Sequence, residues 1–209
     1  MAIKPILFNT EMIRAILDGR KSCTRRILKH DVEAILNSPY HKEHPEVEDE
    51  QIISKLCMPP YQPGDILYVR ETWCALPVNE AGHMRGHSTY YYRADGDLRP
   101  SGWRGKWNPS IHMPKEAARI WLKVTDVRVE RLQEITDEQA KREGIQYDEC
   151  PTGFTWKQET DMHNCYTTPI GAMQALWNSI IKKSDIDRYG WDASPWVWVI
   201  EFERCESRK

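Results

Sequence analysis

Apolar and polar residues alternate along several short segments of the chain, which is the pattern of half-buried β-strands. The clearest of these segments are 66–74, 89–93, 118–132 and 195–205. The last contains the run Trp-Val-Trp-Val-Ile-Glu-Phe, which is apolar enough to predict a strand inside a sheet. In 118–132 the alternation breaks at Thr125 and Asp126, which predicts a β-bulge.

Three other segments have the period of an amphipathic helix, with apolar residues three and four positions apart. Each starts at a residue that can cap a helix, and two end at a glycine, which readily adopts the left-handed conformation of a helix C-terminus. The predicted helices begin at Asn9 or Thr10 and end before Gly19, begin at Thr136 with a capping box to Gln139 and end at Gly144, and begin at Thr168 with Pro169.

Strands therefore dominate the pattern, with two or three helices beside them, and we predict an α+β fold that is mainly β. A closed or nearly closed β-barrel is the simplest way for a sheet of this size to avoid exposed edges. The 209 residues fit one domain, 1–209, with polar insertions at about 29–58, 75–114 and 146–167. The first insertion contains a possible short helix at 32–36.

Composition narrows the setting of the protein. No segment approaches the roughly 20 apolar residues of a membrane span, and the apolar start is too short for a signal peptide. The six cysteines form no CxxC pair, so we expect thiols in a reducing compartment and a cytoplasmic protein away from membranes. The formal charge of −2 excludes a global basic field for long nucleic acids, although 14–30 is locally basic.

Two histidine pairs are the obvious metal candidates. His41 and His44 lie three positions apart, and His83 and His87 four apart, each in a polar stretch. Neither pair has cysteine partners at the spacing of a zinc finger. We therefore predict no metal and no other cofactor.

The segment 19–26 is the strongest candidate for chemistry, because four cations and two hydroxyls follow a helix terminus. A lysine near other cations can give up its proton and act as a base, and a threonine beside it can become a nucleophile. An arginine can bind a carbonyl, an oxyanion or a phosphate through its planar fork. Read from composition alone, the same segment is equally consistent with a solvated basic face.

Glu143 is a second candidate, because it lies in the last turn of the helix that begins after Thr136. A carboxylate at that end faces the negative pole of the helix dipole, which costs about 0.3–1 kcal/mol. The alternative is a solvent-facing glutamate that tolerates this position.

The motif Gly19-x-Lys21-x-x-Thr24-x-Arg26 resembles the signature of ASCH domains. The threonine variant is similar to the small bacterial ASCH amidohydrolases that deacetylate N4-acetylcytidine, and the segment 132–143 resembles the helix that carries their catalytic glutamate. Longer bacterial and prophage-type ASCH proteins share three further motifs with this chain: Pro63-Gly-Asp-Ile-Leu-Tyr-Val-Arg70-Glu71-Thr-Trp73, Ser110-Ile-His112-Met-Pro114 and Pro195-Trp-Val-Trp-Val-Ile-Glu-Phe.

The resemblance implies a PUA-like ASCH barrel with a cleft between the barrel and the first helix, suited to RNA or a modified nucleoside. Lys21 would be the base, Thr24 the nucleophile and Glu143 the group that moves or orients protons. The implied substrate-binding residues are Gly19, Arg20, Arg26, Arg70, Glu71 and His112. For the last three, a strand-end ion pair and a hydrogen-bonded histidine are the open alternatives.

The chain departs from the short ASCH proteins in three ways. It is about twice their length, and Cys23 and Arg25 replace apolar residues. In a regular strand Lys21 and Thr24 would also point to opposite faces. They converge only if the backbone turns just after Gly19, and we predict such a turn.

Three functions remain open from the sequence. The first is a metal-independent amidohydrolase acting on an N4-acylated cytidine nucleoside or RNA base. The second is a non-catalytic RNA- or nucleotide-binding module that uses Lys21, Arg26 and aromatic stacking. The third is a ribonuclease. The sequence identifies no protein partner.

Overall fold

The computed structural model describes residues 1–75, 90–98, 106–149, 152–157 and 165–206. The strands are β1 (Ile3–Leu7), β2 (Cys23–Ile27), β3 (Ile66–Arg70), β4 (Trp73–Ala75), β5 (Tyr90–Tyr92), β6 (Trp121–Arg131), β7 (Gln146–Glu149), β8 (Thr152–Thr155) and β9 (Trp196–Cys205). The α-helices are α1 (Thr10–Leu17), α2 (Val32–Leu36), α3 (Pro39–Glu43), α4 (Asp49–Leu56), α5 (Asp137–Arg142), α6 (Pro169–Ile180) and α7 (Ile186–Tyr189).

Five strands form the main sheet in the order β1-β3-β6-β9-β2, in which only β1 and β3 run parallel. β9 lies inside this sheet, as its apolar sequence predicts. The register between β6 and β9 shifts between Val124 and Asp126, which confirms the predicted bulge. The β4–β5 and β7–β8 pairs form two small separate sheets.

The α+β class is confirmed, but no closed barrel is found in the described part of the chain. The edge strands β1 and β2 are joined there by a side chain and not by a backbone ladder. Arg26 in β2 donates from Nη2 to the carbonyl oxygen of Leu7 in β1, at 2.7 Å. This side-chain hydrogen bond can break without disrupting the main sheet, because it is not one of the backbone hydrogen bonds between strands.

The main sheet is covered on both faces, which explains why β9 is apolar without interruption. Alternate residues of β9 enter two different clusters, as the period of a strand requires. Trp198 and Ile200 pack with α1 and β1, whereas Val197 and Val199 pack with α6.

The three predicted helices are present and have the predicted caps. Their N-cap side chains each accept a backbone N–H from the first turn, namely Asn9 from Met12, Thr136 from Gln139 and Thr168 from Gly171. The glycines after α1 and α5 have positive φ, +77° at Gly19 and +105° at Gly144. These two residues end their helices as expected.

The segment 29–58 corrects the expectation of a loop insertion and of only two or three helices. It folds into α2, α3 and α4, and α4 buries Ile52 and Ile53 completely. Two adjacent isoleucines in a polar stretch supply the apolar face that holds this helix on the core. The short helix expected at 32–36 is α2.

The other two expected insertions are described in part. Of the strand expected at 89–93, the structure has β5, followed by a 3₁₀ turn, and residue 89 lies outside the described residues. In the 146–167 region β7 and β8 pair in antiparallel orientation. Among the residues described, none of the helices has the length and apolarity needed to cross a lipid bilayer.

Candidate functional site

The backbone between α1 and β2 brings Lys21 to the end of α5. After Gly19, the N–H groups of Arg20 and Lys21 both donate to the carbonyl of Ala15, at 2.9 Å each. Lys21 therefore lies in a turn before β2, where it forms an isolated antiparallel bridge with Glu143. The turn predicted after Gly19 is present.

Lys21 and Glu143 form a buried ion pair at this bridge. Lys21 Nζ lies 2.6 Å from Glu143 Oε2 and 2.9 Å from the carbonyl oxygen of the same residue. The Lys21 side chain has 0% of its surface exposed and the Glu143 side chain 3%. Bonds between ionised groups at these lengths are strong, and burial removes the water that would weaken them.

Arg25 is the second cation on Glu143, and sequence reasoning did not include it in the site. Its Nη1 donates to Glu143 Oε1 at 3.1 Å, so the two carboxylate oxygens are bound by different cations. Its Nη2 donates to Glu130 at 3.2 Å and to Gln139 at 3.1 Å. Side chains alternate between the two faces of β2, so Arg25, one position from Thr24, points to the opposite face, toward α5. This alternation is the sequence signal that could have placed Arg25 beside Glu143.

Thr24 and Arg26 project from the other face of β2, toward Phe8. Arg26 Cζ lies 5.3 Å from the centre of the Phe8 ring, and Lys21 Nζ lies 5.6 Å from the same ring. Thr24 is buried. The cation of the motif's lysine and that of its arginine therefore both lie close to the Phe8 ring.

A groove of about 350 Å³ opens beside Arg26, between the two edge strands. This volume is within the range of about 300–1,000 Å³ that is typical of small-molecule sites. Its lining includes Leu7, Arg26, Lys29, His30, Tyr61 and Trp198. Burial lowers the pKa of the Arg26 guanidinium, while Tyr61 and Glu143 oppose that shift. The groove combines three basic side chains with two aromatic ones.

Lys21 and Glu143 are closed off from solvent, whereas the sequence predicted an open cleft. The groove reaches Arg26 but its lining does not include Lys21, Thr24 or Glu143. The ion pair is therefore not in contact with the groove, and Arg26 is the motif residue that the groove reaches. Arg26 is only half-buried and its contact with Leu7 is a single hydrogen bond.

Gly19 and Arg20 shape the backbone and take no direct part in the ion pair. Arg20 Nη1 donates to the carbonyl of Gly144 at 2.8 Å, and its Nη2 bonds Asp18 at 2.9 Å. Arg20 thus ties the α1 terminus to the α5 terminus.

The remaining expected residues form a separate cluster at the ends of β1 and β3. Arg70 donates to the carbonyls of Met113 and Ile111, at 2.8 Å and 2.5 Å. Glu71 is bound by Arg119 Nε and Nη2, at 2.9 Å and 3.0 Å, with the guanidinium 4.0 Å above the Tyr92 ring. Glu71 therefore forms an ion pair at the end of β3, whereas Arg70 bonds backbone carbonyls.

His112 is exposed in a 3₁₀ turn. A backbone bond from Phe8 N to the carbonyl of Arg70, at 3.3 Å, connects the cluster to the segment before α1. Arg14 in α1 also donates to the carbonyl of Ala94, at 3.0 Å.

Cys23 lies next to the ion pair but is not suited to act as its nucleophile. Burial, and then the nearby Glu143 carboxylate, raise the pKa of the Cys23 thiol to about 12. The thiol therefore stays protonated at neutral pH, and a protonated thiol is a poor nucleophile.

The ion pair is continuous with a network of charges that reaches the surface. Arg25 binds Glu130, Glu130 binds Arg128, and Arg128 also bonds Glu201 at 2.7 Å. Glu201 is bound in turn by Arg142, the residue that precedes Glu143. The charges near Glu143 are thus fixed over several strands.

Metal ligation finds no support among the described residues, where no three His, Cys, Asp or Glu side chains are grouped around a common point. His41 and His44 bond Asp49 and Glu46, respectively. His83 and His87 lie outside the described residues.

Comparison of the chain with protein-family models, with curated proteins and with solved structures found no match.

Proposed function

We propose that the protein is an ASCH-type, PUA-like domain that hydrolyses the amide of an N4-acylated cytidine, as a nucleoside or within RNA. The observation that carries this proposal is the buried contact of 2.6 Å between Lys21 and Glu143, residues 122 positions apart. Two groups with exchangeable protons are thereby placed beside the strand that carries Thr24 and Arg26. Chemistry of this kind needs a base, a nucleophile and an acid within reach of one another.

The pair supplies both the base and the acid of an acyl transfer. When the Lys21 ammonium passes a proton to Glu143, the resulting amine accepts the Thr24 hydroxyl proton as the oxygen attacks the acyl carbon. The protonated Glu143 then gives its proton to the departing N4 nitrogen as the C–N bond breaks, which leaves an ester on Thr24. Water hydrolyses that ester by the same proton route, and the products are cytidine and a carboxylic acid.

Arg26 and the groove supply binding in this proposal. The guanidinium lies at the boundary between the groove and the ion pair, where it can bind the substrate carbonyl and the oxyanion that forms from it. Tyr61 offers an aromatic face for a pyrimidine ring. The Phe8 ring excludes water from Lys21, which strengthens the electrostatic interactions of the reacting groups.

The test is release of cytidine from N4-acetylcytidine by the wild-type protein and by two variants of Thr24. Thr24→Ala loses the nucleophile, so we expect loss of turnover with the fold retained. Thr24→Ser is the matched control, because it keeps a hydroxyl, and it should keep measurable turnover. Equal rates for Thr24→Ala and the wild type would exclude the proposed nucleophile.

A second candidate is a binding module without turnover, favoured by the complete burial of Lys21. In that case the groove basic residues Arg26, Lys29 and His30 bind a nucleotide or RNA directly. The same screen then shows binding without product, and the RNA affinity falls steeply as the salt concentration rises.

A further inference from the structure

We propose that Arg25 is a positioning residue for Glu143, a role that the ASCH motif does not include. This inference rests on the proposed function. Arg25 stands where the short ASCH proteins that the chain resembles have an apolar residue. The structure gives it contacts with the centre of the site.

The contacts of Arg25 divide the Glu143 carboxylate between two cations. Arg25 binds Oε1 at 3.1 Å, which leaves Oε2 to Lys21 at 2.6 Å. A carboxylate with each oxygen bound from a different side cannot rotate freely. Lys21 is therefore presented with one defined oxygen for proton exchange.

Arg25 also holds the helix that carries Glu143. Its Nη2 binds the side-chain oxygen of Gln139, the residue that completes the capping box of α5, while Nη1 binds Glu143 at the C-terminal end of the helix. One guanidinium thus bridges two side chains that lie one helical turn apart. The spacing between β2 and α5 is set by the same group that orients the carboxylate.

The direction from which Arg25 reaches Glu143 indicates a positioning role and not a catalytic one. Arg25 points from the α5 face of β2, whereas Thr24 and Arg26 point to the Phe8 face. Arg25 therefore contacts Glu143 from the face of β2 that is opposite to the groove. A substrate that enters from the groove does not reach Arg25.

The burial of Arg25 is costly, which argues against a role in packing alone. Its side chain is 0% exposed, and its Nε–H has no hydrogen-bond partner in the described structure. A buried charge with an unsatisfied donor usually stabilises a fold less than an apolar side chain of the same size. Such groups concentrate at functional sites.

The orientation of the Glu143 carboxylate is the property that this arrangement controls. The charged groups facing Glu143 are Lys21 from the turn, Arg25 from the α5 face of β2, and Arg26 from its other face. Removing Arg25 leaves Oε2 bound to Lys21 and takes away the donor to Oε1. The carboxylate can then turn about its last side-chain bond.

The experiment compares Arg25→Met, Arg25→Lys and the control Glu130→Gln with the wild-type protein. The control removes another partner of Arg25 and leaves Glu143 in contact with it. The first readout is the mobility of the Glu143 side chain, followed by carbon NMR relaxation of its methylene groups. The second is the pH profile of kcat and KM for N4-acetylcytidine.

For Arg25→Met we expect the Glu143 side chain to become more mobile, and kcat to fall about 10–100-fold with KM nearly unchanged. Arg25→Lys should restore part of the order of the Glu143 side chain but not the rate, because one ammonium cannot hold both Gln139 and Glu143. Glu130→Gln should resemble the wild type in both. If Arg25→Met does not fold, Arg25→Lys still decides through the kcat loss alone.

An unchanged mobility of the Glu143 side chain in Arg25→Met, or a kcat loss shared equally by Glu130→Gln, overturns the proposal. If the wild-type protein releases no cytidine, the proposed function fails. The NMR measurement then still decides whether Arg25 holds the Glu143 carboxylate in place.

Discussion

Removing the charge of Glu143 tests the buried ion pair most severely, because two cations depend on that one carboxylate. In Glu143→Gln one of the two oxygens bound to Lys21 and Arg25 becomes an NH2 group, and the side chain loses its charge. Among the described residues Lys21 then has no carboxylate within 4.0 Å, while Arg25 keeps Glu130. Breaking a buried pair by removing one partner costs about 3–5 kcal/mol, and the unpaired Lys21 favours a loss of about 4 kcal/mol.

Lys21→Met should cost less than Glu143→Gln. The carboxylate keeps Arg25 at 3.1 Å, and Met retains much of the apolar contact with the Phe8 ring. We expect a loss of about 3 kcal/mol. The double variant removes both charges and leaves Arg25 with Glu130. Its loss should therefore be well below the sum of the single losses, with a coupling of about 2–3 kcal/mol.

Urea unfolding of the four proteins at pH 7 measures this cycle, provided that the m-values agree. Losses that add to within about 0.5 kcal/mol would show that Lys21 and Glu143 do not interact in solution. That result would refute the geometry on which the acid–base proposal depends.

Three further predictions concern the surroundings of the site. Gly144→Ala should lower the free energy of unfolding by about 3 kcal/mol, because φ is +105° and the new Cβ would lie 2.9 Å from the Ala15 Cβ. The control Gly19→Ala has open space around its new Cβ and should cost about 1 kcal/mol in urea unfolding. Equal losses for the two variants would contradict the close approach of Gly144 to Ala15. Cys23 should react with a thiol reagent at pH 8 far more slowly than the half-buried Cys205, because the pKa of the Cys23 thiol is raised to about 12. Mass spectrometry of the labelled peptides measures the two rates. Equal labelling would contradict the burial of Cys23. The hydrogen bond from Arg142 is the main cause that lowers the pKa of Glu201. The stability that this bond contributes is present above the usual carboxyl pKa and is lost as the pH falls toward the lowered pKa of Glu201 in the folded protein. Glu201→Gln should therefore reduce the loss of stability at acid pH, as measured by urea unfolding at a series of pH values, and an unchanged loss would contradict the pairing.

The local elements of this fold were predictable because their signals are local. The caps at Asn9, Thr136 and Thr168 and the left-handed glycines after α1 and α5 identify helix ends without knowledge of the tertiary structure. The contact between Lys21 and Glu143 was predicted by the family resemblance alone. No spacing rule links residues 122 positions apart.

The remaining features depend on packing, which single-sequence patterns describe poorly. The segment 29–58 has a mostly polar sequence, so the burial of Ile52 and Ile53 follows only once the core is known. Arg25 was passed over because the alternation of β2 places it opposite to Thr24 but does not show that α5 covers that face. Closure of the Lys21 site depends on where Phe8 and Arg26 lie relative to it, which the order of residues does not state.

The central claim is that Thr24 carries the acyl group between the two steps, with the Lys21–Glu143 pair moving the protons. Rapid quenching of the wild-type protein with N4-acetylcytidine, followed by mass spectrometry of the peptide that contains Thr24, measures this directly. The account predicts one acetyl group on Thr24 that forms as cytidine is released and disappears as acetate accumulates. Cytidine release without any acetyl group on that peptide, and at an unchanged rate in Thr24→Ala, would contradict it.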